Sequence, residues 1–92
     1  MAELKLNKPF DLDGEKVEVI NYDLESLTGS DIERAISALG KKGIVVTVVE
    51  TDQRYHAMLF SIAAGMAYED VNRLPMKDFH KATTAVRDFF LE

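Results

Sequence analysis

The chain has 92 residues and a mass of 10.3 kDa, which allows one hydrophobic core and leaves no room for two. It contains no cysteine, so disulfide frameworks, thiolate metal sites and thiol catalysis are excluded. Sixteen acids against eleven bases give a net charge of −5, and residues 1–39 carry the whole excess, which argues against binding a phosphate backbone. Apolar residues make up 47% of the chain, so disorder is a poor reading. No stretch reaches the roughly 18 apolar residues of a membrane span. The first residues, Met1-Ala2-Glu3-Leu4-Lys5, lack the basic-then-apolar layout of a signal peptide. The expectation is a single soluble cytoplasmic domain over residues 1–92, with no membrane or nucleic-acid partner.

Residues 3–23 read as a β-hairpin. Asp13-Gly14 is the turn, because a type I′ turn needs positive φ at both central residues. Folding about it pairs Leu12 with Glu15, Phe10 with Val17, Lys8 with Val19 and Leu6 with Asn21. Leu4, Leu6, Phe10, Val17 and Val19 then share one face, with Ile20 and Tyr22 on the other. Pro9 falls opposite Glu18 in a non-hydrogen-bonded pair, where its missing N–H is harmless.

Residues 28–39 read as a helix. Thr28 is the N-cap and Asp31 completes a capping box. Ile32, Ala35, Ile36 and Leu39 form its apolar stripe, and Gly40 ends it. Residues 44–50 are β-branched almost throughout, so propensity favours a strand. The segment either adds a third strand to the hairpin or runs as an extended connector over the core.

Residues 52–64 read as the central helix, capped by Thr51 or Asp52 and closed by Gly65. Its stripe is Tyr55, Met58, Leu59, Ile62 and Met66, with Phe60 about a hundred degrees away. Residues 69–74 make a short helical turn. Pro75 opens the last helix, which runs to about Leu91 with Phe79, Ala82, Thr83, Val86 and Phe90 as its stripe. The fold class is therefore α+β: an N-terminal hairpin, three main helices and one helical turn.

Motifs for catalysis are weak. Asp52 and His56 lie one helical turn apart, but a closed metal site needs about four ligands and no His-Glu-x-x-His pattern occurs. His56 and His80 read as surface or boundary histidines. Asp11/Asp13 and Glu69/Asp70 are explained by turn and helix-start preferences. Thr28-Gly29-Ser30 matches no phosphate loop. No cofactor is implied. What remains is apolar surplus: Met58, Phe60, Met66, Met76, Phe89 and Leu91 exceed one stripe per helix. They either fill the core or form a partner groove or a self-association face.

One resemblance covers nearly the whole chain. Lys8-Pro9-Phe10, Asp13-Gly14 and Leu24-Glu25-Ser26-Leu27-Thr28-Gly29-Ser30-Asp31 occur in this order. They are followed by Tyr55, Ala63-Ala64-Gly65, Glu69-Asp70, Leu74-Pro75, Asp78-Phe79 and Val86-Arg87-Asp88-Phe89-Phe90. Together they resemble the phage tail assembly chaperone family, the E-like and Mu-like small tail proteins. Ile44–Val49 departs from the more polar or Pro-containing connector expected there.

The resemblance implies a non-enzymatic role during tail assembly in a phage or prophage. Such proteins bind the long, aggregation-prone tape measure protein, keep it soluble and help bring tail tube subunits to it. They are absent from the finished virion, and this chain would correspond to the short form of those made in short and frameshift-extended versions. A small acidic domain suits that role, adding solubility while lending an apolar groove. The expected contact residues are Met58, Phe60, Met66, Phe89 and Leu91. A small regulator that binds one folded partner is the first alternative, and an enzyme subunit is the second.

Overall fold

The computed structural model describes residues 2–91. Met1 and Glu92, the limits of the expected unit, lie outside the described residues. The fold is α+β, as expected. A two-stranded antiparallel sheet of β1 (Ala2–Leu12) and β2 (Glu15–Tyr22) is followed by α1 (Gly29–Lys41), α2 (Gln53–Ala64), α3 (Tyr68–Asn72) and α4 (Met76–Phe90).

The hairpin turns at Asp13 (φ 53°) and Gly14 (φ 84°), as the Asp-Gly pair dictates. Leu12 pairs with Glu15 and Phe10 with Val17, but the next partners are Lys5 and Val19. Residues 6–9 are thus set against Glu18 alone, an odd offset of three residues. The expected Lys8–Val19 and Leu6–Asn21 pairs do not form, and Pro9 lies in the irregular stretch. An odd offset exchanges the faces of everything beyond it. Leu4 and Ile20 turn into the core, while Val19 faces outward.

The cause lies in α4. Pro9 has no N–H for the ladder, and the backbone beside it finds a different acceptor. The carboxylate of Asp78 accepts the Asn7 N–H at 2.7 Å and the Lys8 N–H at 3.4 Å. The Lys81 ammonium donates to the Lys5 carbonyl and to Asn7 Oδ1. A helix thus replaces a strand as the partner of this stretch of β1.

The Thr28 N–H donates to Asp31 Oδ2 at 2.9 Å, closing the start of α1. The helix runs past Gly40 and stops at Gly43, whose φ is +78°. There the Ile44 N–H reaches the Leu39 carbonyl and the Gly43 N–H reaches that of Gly40, each at 3.0 Å. This is a Schellman closure, and it brings Ile44 back toward the apolar face of the helix.

No third strand forms at 44–50; the sheet has two strands. Ile44 and Val46 pack on the core while Val45 and Val48 stand in solvent, and a 3-10 turn at Val49–Thr51 leads into α2. The side chain of Arg54 supplies a donor to the Val45 carbonyl at 3.4 Å, in place of a neighbouring strand. β-Propensity without a free ladder beside it leaves an extended connector.

At the start of α2, the Asp52 carboxylate accepts the Arg54 N–H at 2.8 Å; Gly65 ends the helix at φ +69°. Every residue from Tyr55 to Ser61 is buried, because α1, α3, α4 and the hairpin surround the helix. The Asp23 N–H donates to the Ala63 carbonyl at 3.1 Å, tying the exit of β2 to the end of α2. Arg73, just after α3, holds the hairpin tip: Nη2 donates to the Asp11 carbonyl at 3.0 Å and the guanidinium lies 5.1 Å from the Phe10 ring centre.

The inward face of α4 is Asp78, Ala82, Thr83 and Val86, with Phe89 half-buried beside it. Phe90, expected in the stripe, is 50% exposed, and Phe79 is only partly buried. Ala82, Thr83 and Val86 face inward as expected, but the buried face leans toward Asp78 and Phe89 and away from Phe79 and Phe90, which brings the carboxylate of Asp78 inward.

Candidate functional site

The five residues expected to meet a partner divide sharply. Phe60 is fully enclosed and packs on the Tyr22 ring at 5.1 Å between centres. Met58 is also a core residue. In this conformation both pack within the core. Met66 and Phe89 are half-buried against the core, and Leu91 is 76% exposed. Phe89 and Leu91 are the two that belong to the end of α4.

That end gathers an aromatic cluster from elements far apart in sequence. Phe90 stacks on Tyr55 of α2 at 6.5 Å and 19° between planes. Phe89 meets Phe90 edge-on at 6.2 Å. Three shallow grooves border the cluster, two of them apolar and one mixed. One, of about 450 Å³, lies between the start of α2 and the end of α4, lined by Tyr55, Phe90 and Leu91 with Glu50 and Arg87 at its edge. The second, of about 190 Å³, is walled by Leu27 and Ile32 of the α1 approach and by Phe89 and Phe90, with Leu59 and Leu24 in its lining. The third shares Leu24 and Phe89 with the second, and Asp23, Glu25 and Asp88 line it. Phe90 lines both of the first two grooves and Phe89 lines both of the last two.

His56 lies beneath this cluster and is buried, not at the surface. Its ring centre is 6.5 Å from that of Phe90 and 5.5 Å from that of Tyr55. Its Nε2 has no hydrogen-bond partner among the described residues. Burial lowers its pKa from the ordinary 6.5; the Arg87 charge lowers it further and Asp52 opposes them. Burial likewise pushes the Tyr55 hydroxyl up. Asp52 is held below the ordinary carboxylate value chiefly by the hydrogen bond from the Arg54 side chain.

These pairings bear on chemistry. Asp52, one helical turn before His56, is committed to Arg54, whose Nη2 lies 2.9 Å from Oδ2. No group of three or more His, Asp or Glu side chains among the described residues is placed to hold a metal ion. The Ser61 hydroxyl donates to the Met58 carbonyl at 2.6 Å, and that of Thr83 to the His80 carbonyl at 3.1 Å. Both are spent inside their own helices. What the surface offers is apolar contact with a charged margin.

Sequence reasoning missed Asp78, His56 and the exposed position of Phe90. Asp78 had a signal: it precedes Ala82 and Val86 by four and eight residues, so an acid sits on the apolar face of the helix. His56 had one too, since it falls within the unbroken Tyr55–Phe60 stretch of a helix apolar on more than one side.

The sequence matches the family described as "Phage tail assembly chaperone proteins, E, or 41 or 14" over residues 3–91. No curated protein and no solved structure matches the chain. No helix among the described residues is long and apolar enough to cross a membrane. The match takes in both strands, all four helices and the aromatic end of α4, and the chain belongs to the phage tail assembly chaperone family.

Proposed function

We propose that this tail assembly chaperone binds the tape measure protein of its phage or prophage, keeps that long chain soluble and helps bring tail tube subunits to it. It would act in the cytoplasm of the host bacterium and would not take part in chemistry. The observation that carries this reading is the family match over residues 3–91. The open aromatic end of α4 adds a means. Phe90 and Leu91 expose apolar surface that a stripe on a long helical client would cover. Many copies along one client reach high total affinity from modest contacts, because each further contact is intramolecular.

The test is co-expression with the tape measure protein encoded nearby, scored by solubility and co-elution. The expected outcome is a client that is soluble only with this chain and elutes with several copies bound. Leu91→Asp should leave the chaperone folded and reduce the copies retained. A client that precipitates regardless, or a one-to-one complex with a compact protein instead, overturns the reading.

A further inference from the structure

We propose that the three grooves meeting at Phe89 and Phe90 form one docking surface for an amphipathic helix with Lys or Arg beside its apolar stripe. The proposal deepens the client-binding reading and rests on it for its biological setting. Charge selects the occupant. Asp23, Glu25, Asp88 and Glu50 margin the grooves, against Arg87 alone. None of these five makes an ion pair among the described residues, so the lining carries four uncompensated carboxylates against one guanidinium. The carboxylates around the aromatic cluster are thus left for a partner's cations.

A second copy of this chain is a poor occupant. It carries a net charge of −5, and a symmetric contact would set these margins against each other. The two apolar grooves are walled by α1, α2, α4, the 3-10 turn and the loop before α1, with no strand residue in their lining; Ala2 and Tyr22 line only the mixed one. An occupant therefore docks through a side-chain stripe, which a helix supplies at its third and fourth positions. The apolar centre gives contact area, and the acidic margin favours a basic partner and raises its rate of encounter.

The experiment titrates the isotope-labelled 92-residue protein with two designed helices that share a leucine stripe, one flanked by lysines and one by glutamates. The lysine helix should bind, shift the amides of Leu27, Ile32, Phe89 and Phe90, and weaken as salt rises. The double variant Glu25→Lys/Asp88→Lys should lose about tenfold in affinity for it with an unchanged circular dichroism spectrum. Equal binding of both helices, binding of neither, shifts centred elsewhere, or indifference to the double variant each overturn the proposal. Co-expression keeps the two readings apart. If the double variant still solubilises the tape measure protein as wild type does, this surface is wrong and the chaperone role stands. If wild type fails to solubilise it while the lysine helix binds at Phe89 and Phe90, the role is wrong and the surface stands.

Discussion

The middle of α2 and the last turn of α4 are both rich in large apolar side chains, yet they meet opposite fates. From Tyr55 to Ser61 seven consecutive residues of α2 are buried, with Phe60 wholly enclosed. At the end of α4, Phe90 is half exposed and Leu91 almost free. Hydrophobicity does not separate them; the number of neighbours does. α2 is surrounded by three helices and the hairpin, whereas Phe90 and Leu91 at the last turn of α4 border an open groove shared with Glu50, Thr51 and Tyr55. At the end of α4 the spare apolar surface is aromatic and borders grooves, which makes it available to another chain.

That contrast can be broken at its buried side. Phe60→Ala should cost about 4 kcal/mol, since a large aromatic is removed from a site that cannot collapse freely. Urea unfolding should show the midpoint fall with a similar slope. A loss under about 1 kcal/mol would mean that α2 is less enclosed than described. The next largest effect is at Asp78, whose grip on β1 fixes where α4 begins and so where it ends. Asp78→Ala leaves the Asn7 and Lys8 N–H groups without an acceptor and should cost about 3 kcal/mol. In a domain of this size that lowers the melting temperature by about 15 °C. Asp78→Asn keeps an acceptor and should lose about half as much. Equal losses for the two variants would indicate that side-chain volume matters there and hydrogen bonding does not.

The smallest effect is acid sensitivity at His56, which lies under Phe90 and belongs to both regions. Its folded pKa is depressed, so the unfolded chain takes up a proton that the native state resists. The stabilising contribution is complete above the unfolded value near 6.5 and is lost as pH falls through the depressed native value. Thermal melts between about pH 7.5 and about pH 5 should show a decline that His56→Phe flattens, while the more acidic window is dominated by the carboxylates. A decline of the same size in His56→Phe would place its origin elsewhere.

How much of this was legible follows from where each instruction sits. Asp13-Gly14, Thr28 with Asp31, Asp52 and Gly65 act on their own neighbours, so local chemistry was enough to place the turn, two helix starts and one stop. The strand register was not local. It depends on Asp78, seventy-one residues away from Asn7, and no pattern within the hairpin announces that partner. Gly40 and Gly43 are both plausible stops, and the choice fell to the one that lets Ile44 fold back over Leu39. Phe90 has the helical spacing of Val86 and Thr83, so periodicity alone placed it inside, where the packing seats Phe89 instead. The valines of 44–50 carry strand propensity but have no ladder to join. Of the candidate contact residues, those on α2 could not be told from core because burial is a property of the neighbours.

The hydrogen bonds from Asn7 and Lys8 to Asp78 also set a timetable. They join one end of the chain to the other, among the most distant pairings possible in a chain of this length. Closing so wide a loop is entropically costly and comes late. Helices and turn can form as soon as they are synthesised, but the hairpin cannot settle into its final register until α4 has arrived. Substitutions at Asp78 should therefore speed unfolding more than they slow folding. The expected order during synthesis is that the last helix docks before the first strand takes its final register.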